Sequence, residues 1–134
     1  IDDDRRVAVA WIPPDVAFVD ADGIAHGRDI IAKHSSEEQA DTALGAILEA
    51  RGHGLEAPHW TLQYIGVASA AQGRGLGRVA VEPTLAVCDA EQLPCALIST
   101  NPRNVSFYES VGFRAGLEVP VPGASTTLRL MQRG

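Results

Sequence analysis

Gln72-Gly73-Arg74-Gly75-Leu76-Gly77-Arg78 sets three glycines at alternate positions between a strand-like run and a helix-like one. Glycine without a Cβ lets the main chain approach a ligand closely and leaves its N–H groups exposed. Followed by a helix N-terminus, such a run forms a concave group of donors suited to phosphate. Arg74 and Arg78 add positive charge for the same ligand. A phosphate-binding P-loop is excluded, because no Gly-Lys-Ser/Thr follows. A dinucleotide G-x-G-x-x-G is excluded too, because Arg78 stands where the third glycine belongs. A glycine-rich turn without a ligand is the plain alternative.

Working outward, the segment before this loop slips in parity. Trp60, Leu62 and Tyr64 alternate as in a strand, but the next apolar positions are Ile65 and Val67. A β-bulge between Tyr64 and Ile65 produces that slip. A strand buried on both faces produces the same pattern, and both readings stay open. Upstream, residues 6–12 read as a strand closed by Pro13-Pro14, and residues 15–34 as loop with at most a short helix. Ser36-Glu37-Glu38-Gln39 has capping-box spacing, and the helix it opens is expected to end at Arg51-Gly52, with Gly52 in the left-handed position. Downstream, a helix runs to about Glu91 with Pro83 inside it, and residues 94–99 form a strand. Asn104 is placed to cap a helix through Val111 that Gly112 ends, and residues 113–119 and 126–131 are closing strands. This order, β-α-β-α-β-α-β-β, implies an α/β fold with a mixed sheet and helices on its faces.

The 134 residues, 46% apolar and 21% charged, suit one domain with a real core. With 11 Lys and Arg against 17 Asp and Glu, the net charge of −6 has the wrong sign for a broad nucleic-acid surface. No apolar run reaches membrane-spanning length, so neither nucleic acid nor membrane is an expected partner. Cys88 and Cys95 are too few for a disulfide framework or a four-thiolate metal site, and a reduced, cytoplasmic setting is the default. Both read as small buried apolar residues. His26, His34 and His53 lack metal spacing and read as surface residues; no metal is expected. Asp2-Asp3-Asp4 reads as a solvated turn.

Gln72-x-x-Gly75-x-Gly77 after Ile65-Gly66-Val67 resembles the acetyl-CoA signature of the GNAT acetyltransferase superfamily. Asn104-Val105-Ser106-Phe107-Tyr108-Glu109 with Gly112-Phe113 resembles that family's second signature. Among its members the chain looks most like the puromycin N-acetyltransferase type, which shares Trp60-x-Leu62, Pro83 and Pro102-Arg103-Asn104. The resemblance spans Val7 to Met131 and implies a mostly antiparallel central sheet flanked by helices. It also implies acetyl-CoA as cosubstrate and direct transfer to a primary amine of a small molecule in a ternary complex. Pantetheine would bond the main chain at Ile65, Gly66 and Val67, and the Val67 N–H would face the thioester oxygen. Pyrophosphate would lie on the N–H groups of Gly73, Arg74, Gly75, Leu76, Gly77 and Arg78, beside Gln72. Asn104 would contact pantetheine, and Tyr108 would protonate the departing thiolate.

Puromycin-type relatives carry a Glu in the strand before the Asn-rich turn, where this chain has Ile98, which accepts no proton. A water chain, Glu56, His59 or a carboxylate from an absent front portion are the remaining sources of a base. Such relatives begin with a strand and two helices that cover one side of the acceptor site, so residues 1–134 are expected to be one N-terminally incomplete domain. A non-catalytic CoA-binding domain and a peptide or protein N-acetyltransferase are the competing readings. A homodimer is compatible with all of them.

Overall fold

The computed structural model describes residues 1, 4–16 and 20–134. Strand β1 (Val7–Ile12) is followed by α1 (Ala21–His34), α2 (Glu37–Gly52) and β2 (Trp60–Val67). A 3-10 turn (Ser69–Ala71) leads to α3 (Leu76–Glu91) and β3 (Cys95–Ser99). A second 3-10 turn (Pro102–Asn104) leads to α4 (Val105–Ser110), β4 (Arg114–Pro120) and β5 (Thr127–Arg133). The five strands lie in the order β1-β2-β3-β5-β4, and only β2 and β3 run parallel. The mixed, mostly antiparallel sheet is as expected.

The stretch read as loop with a short helix is instead the 14-residue α1. Asp20 caps it by accepting from the Gly23 N–H at 2.9 Å. None of its residues is fully buried, so the periodic apolar stripe that would have announced it is weak. Arg28 binds it to α2 through Glu37 at 2.7 Å and Asp41 at 2.6 Å. Ser36 caps α2 as the sequence suggests, accepting from the Gln39 N–H. Gly52 does not take a left-handed conformation; it is the last helical residue, and His53 closes the helix by donating to Ala50 and Arg51 carbonyls. Asp2 and Asp3 of the acidic run lie outside the described residues, while Asp4 is exposed and pairs with Arg6.

Two apolar clusters flank the sheet. Leu62, Val81, Leu85, Leu97, Phe113 and Met131 form the larger, beneath α3 and α4. Ala46, Ala50, Val119, Leu128 and Leu130 form the smaller, beneath α2. Cys88 and Cys95 are fully buried in the larger, and burial pushes the Cys95 thiol up to about 12. Such thiols are packing groups, not nucleophiles.

Arg133 in β5 makes a two-bonded pair with Asp89 in α3, at 2.7 and 2.8 Å, which holds the Asp89 carboxyl below the usual carboxylate range. The pair's contribution is present above the ordinary carboxylate pKa and is lost as pH falls through the depressed one. Asp89→Asn should therefore lower Tm modestly at pH 7 and flatten its decline below pH 4, read by thermal melts across pH. Identical melting curves for both proteins would remove the pair from the stability of the fold.

Candidate active site

The parity slip in β2 is a bulge, placed one residue earlier than the sequence suggests. Ala10 pairs with Tyr64 and Trp11 with Leu62, so Gln63 is the extra residue. Leu62, Ile65 and Val67 consequently share the α3 face, and Tyr64 turns to the other, 59% exposed. Trp60 packs against the larger core cluster. The Ala68 N–H donates to the Arg6 carbonyl at 2.7 Å. Because hydrogen-bonded residues alternate in an antiparallel ladder, Gly66 turns its main-chain groups toward β1, and Ile65 and Val67 turn theirs away. On that side β3 pairs only with Trp60 and Thr61. The two parallel strands thus part after Thr61, leaving a main-chain edge open at Ile65 and Val67. Gln72 Nε2 donates to the Val67 carbonyl at 3.1 Å, which ties the glycine loop to that edge.

The loop delivers its donors to the same place. Gly73 and Gly75 adopt φ of +75° and +77°, and Gly75 is the N-cap of α3. The first helical acceptor, the Gly75 carbonyl, is taken by Val79 at 3.2 Å. Among the described residues no carbonyl accepts from the N–H groups of residues 73–78, as the geometry of a helix start requires. A Cβ on Gly77 would meet the Phe107 ring at 3.2 Å, so the absent side chain lets α4 close against α3. Arg78 fastens the two helices, donating to the Ser110 carbonyl at 2.8 Å and to its hydroxyl at 3.2 Å.

These elements enclose a cleft of about 560 Å³. Ile65, Gly66, Val67, Gln72, Gly73, Gly75, Leu76, Gly77, Arg78, Asn104 and Tyr108 all line it; Arg74 does not and stands exposed at the loop tip. Ala71 and Phe107 also line it and were not picked out from the sequence, although Phe107 sits beside Tyr108 inside the quoted motif. Asn104 is not the side-chain cap of α4: it is already in helical conformation, and Asn101 caps the preceding turn by accepting from the Arg103 N–H. The Asn104 amide is instead one turn before Tyr108, beside its hydroxyl. Burial pushes the Tyr108 phenol upward, and the Asn104 contact works against that rise. Tyr108 thus keeps its phenol proton at neutral pH.

Of the residues considered as a base, Glu56 is exposed, whereas His59 lines a second cavity on the opposite sheet face, as does Ile98. Among the described residues no three His, Cys, Asp or Glu side chains gather as metal ligands, and no helix is long and apolar enough to cross a membrane.

Residues 9–113 match the model of the acetyltransferase (GNAT) family. An uncharacterized N-acetyltransferase of Schizosaccharomyces pombe is 44% identical over 54 residues, which cover 40% of this chain and 22% of that protein. A mycothiol acetyltransferase of Acidothermus cellulolyticus is 32% identical over 114 residues, covering 82% of this chain and 33% of that protein. The chain therefore spans a third or less of the length of these curated relatives. Among solved structures, a protein of Corynebacterium glutamicum described as histone acetyltransferase HPA2 and related acetyltransferase superposes with TM-score 0.53. That superposition has 13% identity and covers 93% of this chain and 95% of the other, which makes the fold common to both. The family match extends from β1 to the end of the second motif, across the parted strands and the glycine loop, and the chain belongs to the acetyltransferase (GNAT) family.

Proposed function

We propose that this chain transfers an acetyl group from acetyl-CoA to a primary amine of a small molecule, by direct attack in a ternary complex. The observation that carries the reading is the meeting, at one cleft, of an unpaired strand edge, an unpaired helix N-terminus and a buried tyrosine. The residues present fit the cosubstrate. The main-chain groups of Ile65 and the N–H of Val67, turned away from β1, match the amides of a pantetheine arm, which would lie along β2 as an added strand. The N–H groups of residues 73–78 match a pyrophosphate at the α3 N-terminus. The thioester supplies an activated acyl carbon with a thiolate leaving group. The Val67 N–H meets negative charge on the carbonyl oxygen, and Tyr108 delivers a proton to the sulfur. The amine attacks the acyl carbon itself, so no enzyme nucleophile is needed. The Acidothermus relative, named mycothiol acetyltransferase, supports a small-molecule acceptor.

Calorimetric titration with CoA, followed by thiol release from acetyl-CoA across a panel of amines, tests this. Binding in the micromolar range and amine-dependent thiol release are expected. No affinity for CoA would refute the reading outright, and binding without transfer to any amine would leave only a CoA-binding domain.

A further inference from the structure

Behind the parted strands, on the face away from α3, the α1–α2 hairpin roofs a cavity of about 640 Å³. Its roof is apolar, with Ile24 and Ile31 from α1 and Leu44 and Ile47 from α2. Its floor includes Gln63 of the bulge and Ile98 of β3. Gln63 and Ile65 are two residues apart on β2, so this cavity and the cofactor cleft meet across the bulge, within about 7 Å. An acceptor seated here would approach the acyl carbon from the side opposite the cosubstrate.

The charges facing this space are few. Among the described residues, α1, β2, β3 and β5 contribute no titratable side chain to the lining, α2 contributes Arg51, and the loop before β2 contributes His59. No carboxylate is among these. Arg51 Nη2 stands 3.5 Å from Gln63 Oε1, which places its guanidinium beside the bulge. Burial pushes Arg51 itself downward. His59 holds Nδ1 2.8 Å from the Ala57 carbonyl and lies six residues before Ile65, about 20 Å along the strand. It is beyond reach of a proton at the reacting amine. Ile98 presents hydrocarbon at the floor, where an ammonium would lose its hydration without a partner.

We propose that this cavity is the acceptor pocket and that it admits an apolar amine of low basicity in its neutral form, with no carboxylate among the described lining residues to deprotonate it. The proposal rests on the acetyl-transfer reading above. The neutral amine attacks the acyl carbon; the C–N bond forms and the C–S bond breaks, its electron pair leaving on sulfur. The nitrogen then loses its surplus proton to water, and Tyr108 gives sulfur a proton that water restores.

The test uses two acceptors of nearly equal shape and different basicity, phenethylamine and its β,β-difluoro analogue, with kcat/KM measured from pH 6 to 10. The difluoro amine is expected to be favoured at pH 7 by about ten-fold, and the inflection of each profile should follow the basicity of its own amine. In Ile98→Glu the preference at pH 7 should narrow or reverse, while Ile47→Trp should raise KM for both amines and leave CoA affinity unchanged. A common inflection for the two amines, or a preference for the more basic one, would overturn the proposal while leaving acetyl transfer intact. Absence of CoA binding would instead remove the acetyl-transfer reading, and this one with it.

Discussion

Tyr108→Phe should lower turnover by about 10²- to 10³-fold while leaving the affinity for CoA within about two-fold, the range expected for loss of one positioned acid. The substitution removes only the hydroxyl. The ring sits edge-on to Phe107 and Phe113, at centroid distances of 5.4 and 6.3 Å, and those contacts survive. At 8% exposure Tyr108 is part of the core, so Tyr108→Ala would open a cavity and confuse chemistry with folding. Phenylalanine avoids that. Because the lost interaction matters only when charge develops on sulfur, kcat and kcat/KM should fall together. The pH profile supplies a second check. Burial raises the Tyr108 phenol, so its protonated form persists past the ordinary phenol value, and wild-type activity should fall only on the alkaline side of it. That alkaline limb should vanish in the variant. The linked stability term has the same sign: it is complete below the ordinary phenol pKa and disappears as pH rises through the raised one. Unchanged turnover in Tyr108→Phe would strip this residue of the acid role.

The sheet and the cleft were legible in the sequence for reasons that differ from those behind the misses. A bulge leaves a mark because one extra residue moves every later side chain to the other face, and the shift from Leu62 to Ile65 records it. Its placement was one residue off because Tyr64, an aromatic, reads as part of the buried series, whereas it is exposed on the opposite face. Left-handed loop positions leave a mark as glycine, and Gly73, Gly75 and Gly112 are all at positive φ. Gly52 carried the same mark without the conformation, since a donating His53 ends α2 from ordinary dihedrals. Helix α1 left little trace. Its cohesion comes from Arg28 bonding Glu37 and Asp41 across the hairpin, and ion pairs between two helices have no sequence period. The second cavity was invisible for a related reason: its lining is drawn from α1, α2 and three strands, and no single segment displays it.

Gly75→Val should weaken CoA binding by about 10²-fold, and the cause will be conformation rather than bulk. A Cβ at this position meets nothing within 4 Å, so there is room for a side chain. The obstacle is φ of +77°, which a β-branched residue adopts only at a cost of roughly 1–2 kcal/mol. The loop should escape that cost by rotating the peptide at the α3 N-cap, which would turn the N–H groups of Gly75 and Leu76 away from the proposed pyrophosphate position. Losing one such bond to a charged acceptor costs about 1.5–3 kcal/mol. Two comparisons separate this from general damage. Gly75→Asn, whose side chain tolerates the left-handed region, should lose no more than about five-fold. Acetylpantetheine, which carries no pyrophosphate, should be used equally well by wild type and Gly75→Val, because its proposed contacts lie on β2. Equal loss with acetyl-CoA and acetylpantetheine would mean that the loop supports the fold and not the phosphate. Gly77→Ala provides the converse case: its φ is ordinary, but the new Cβ meets Phe107 at 3.2 Å and Ile65 at 3.7 Å. That variant should press α4 away from α3 and disturb Tyr108, so it should reduce turnover with both acyl donors alike.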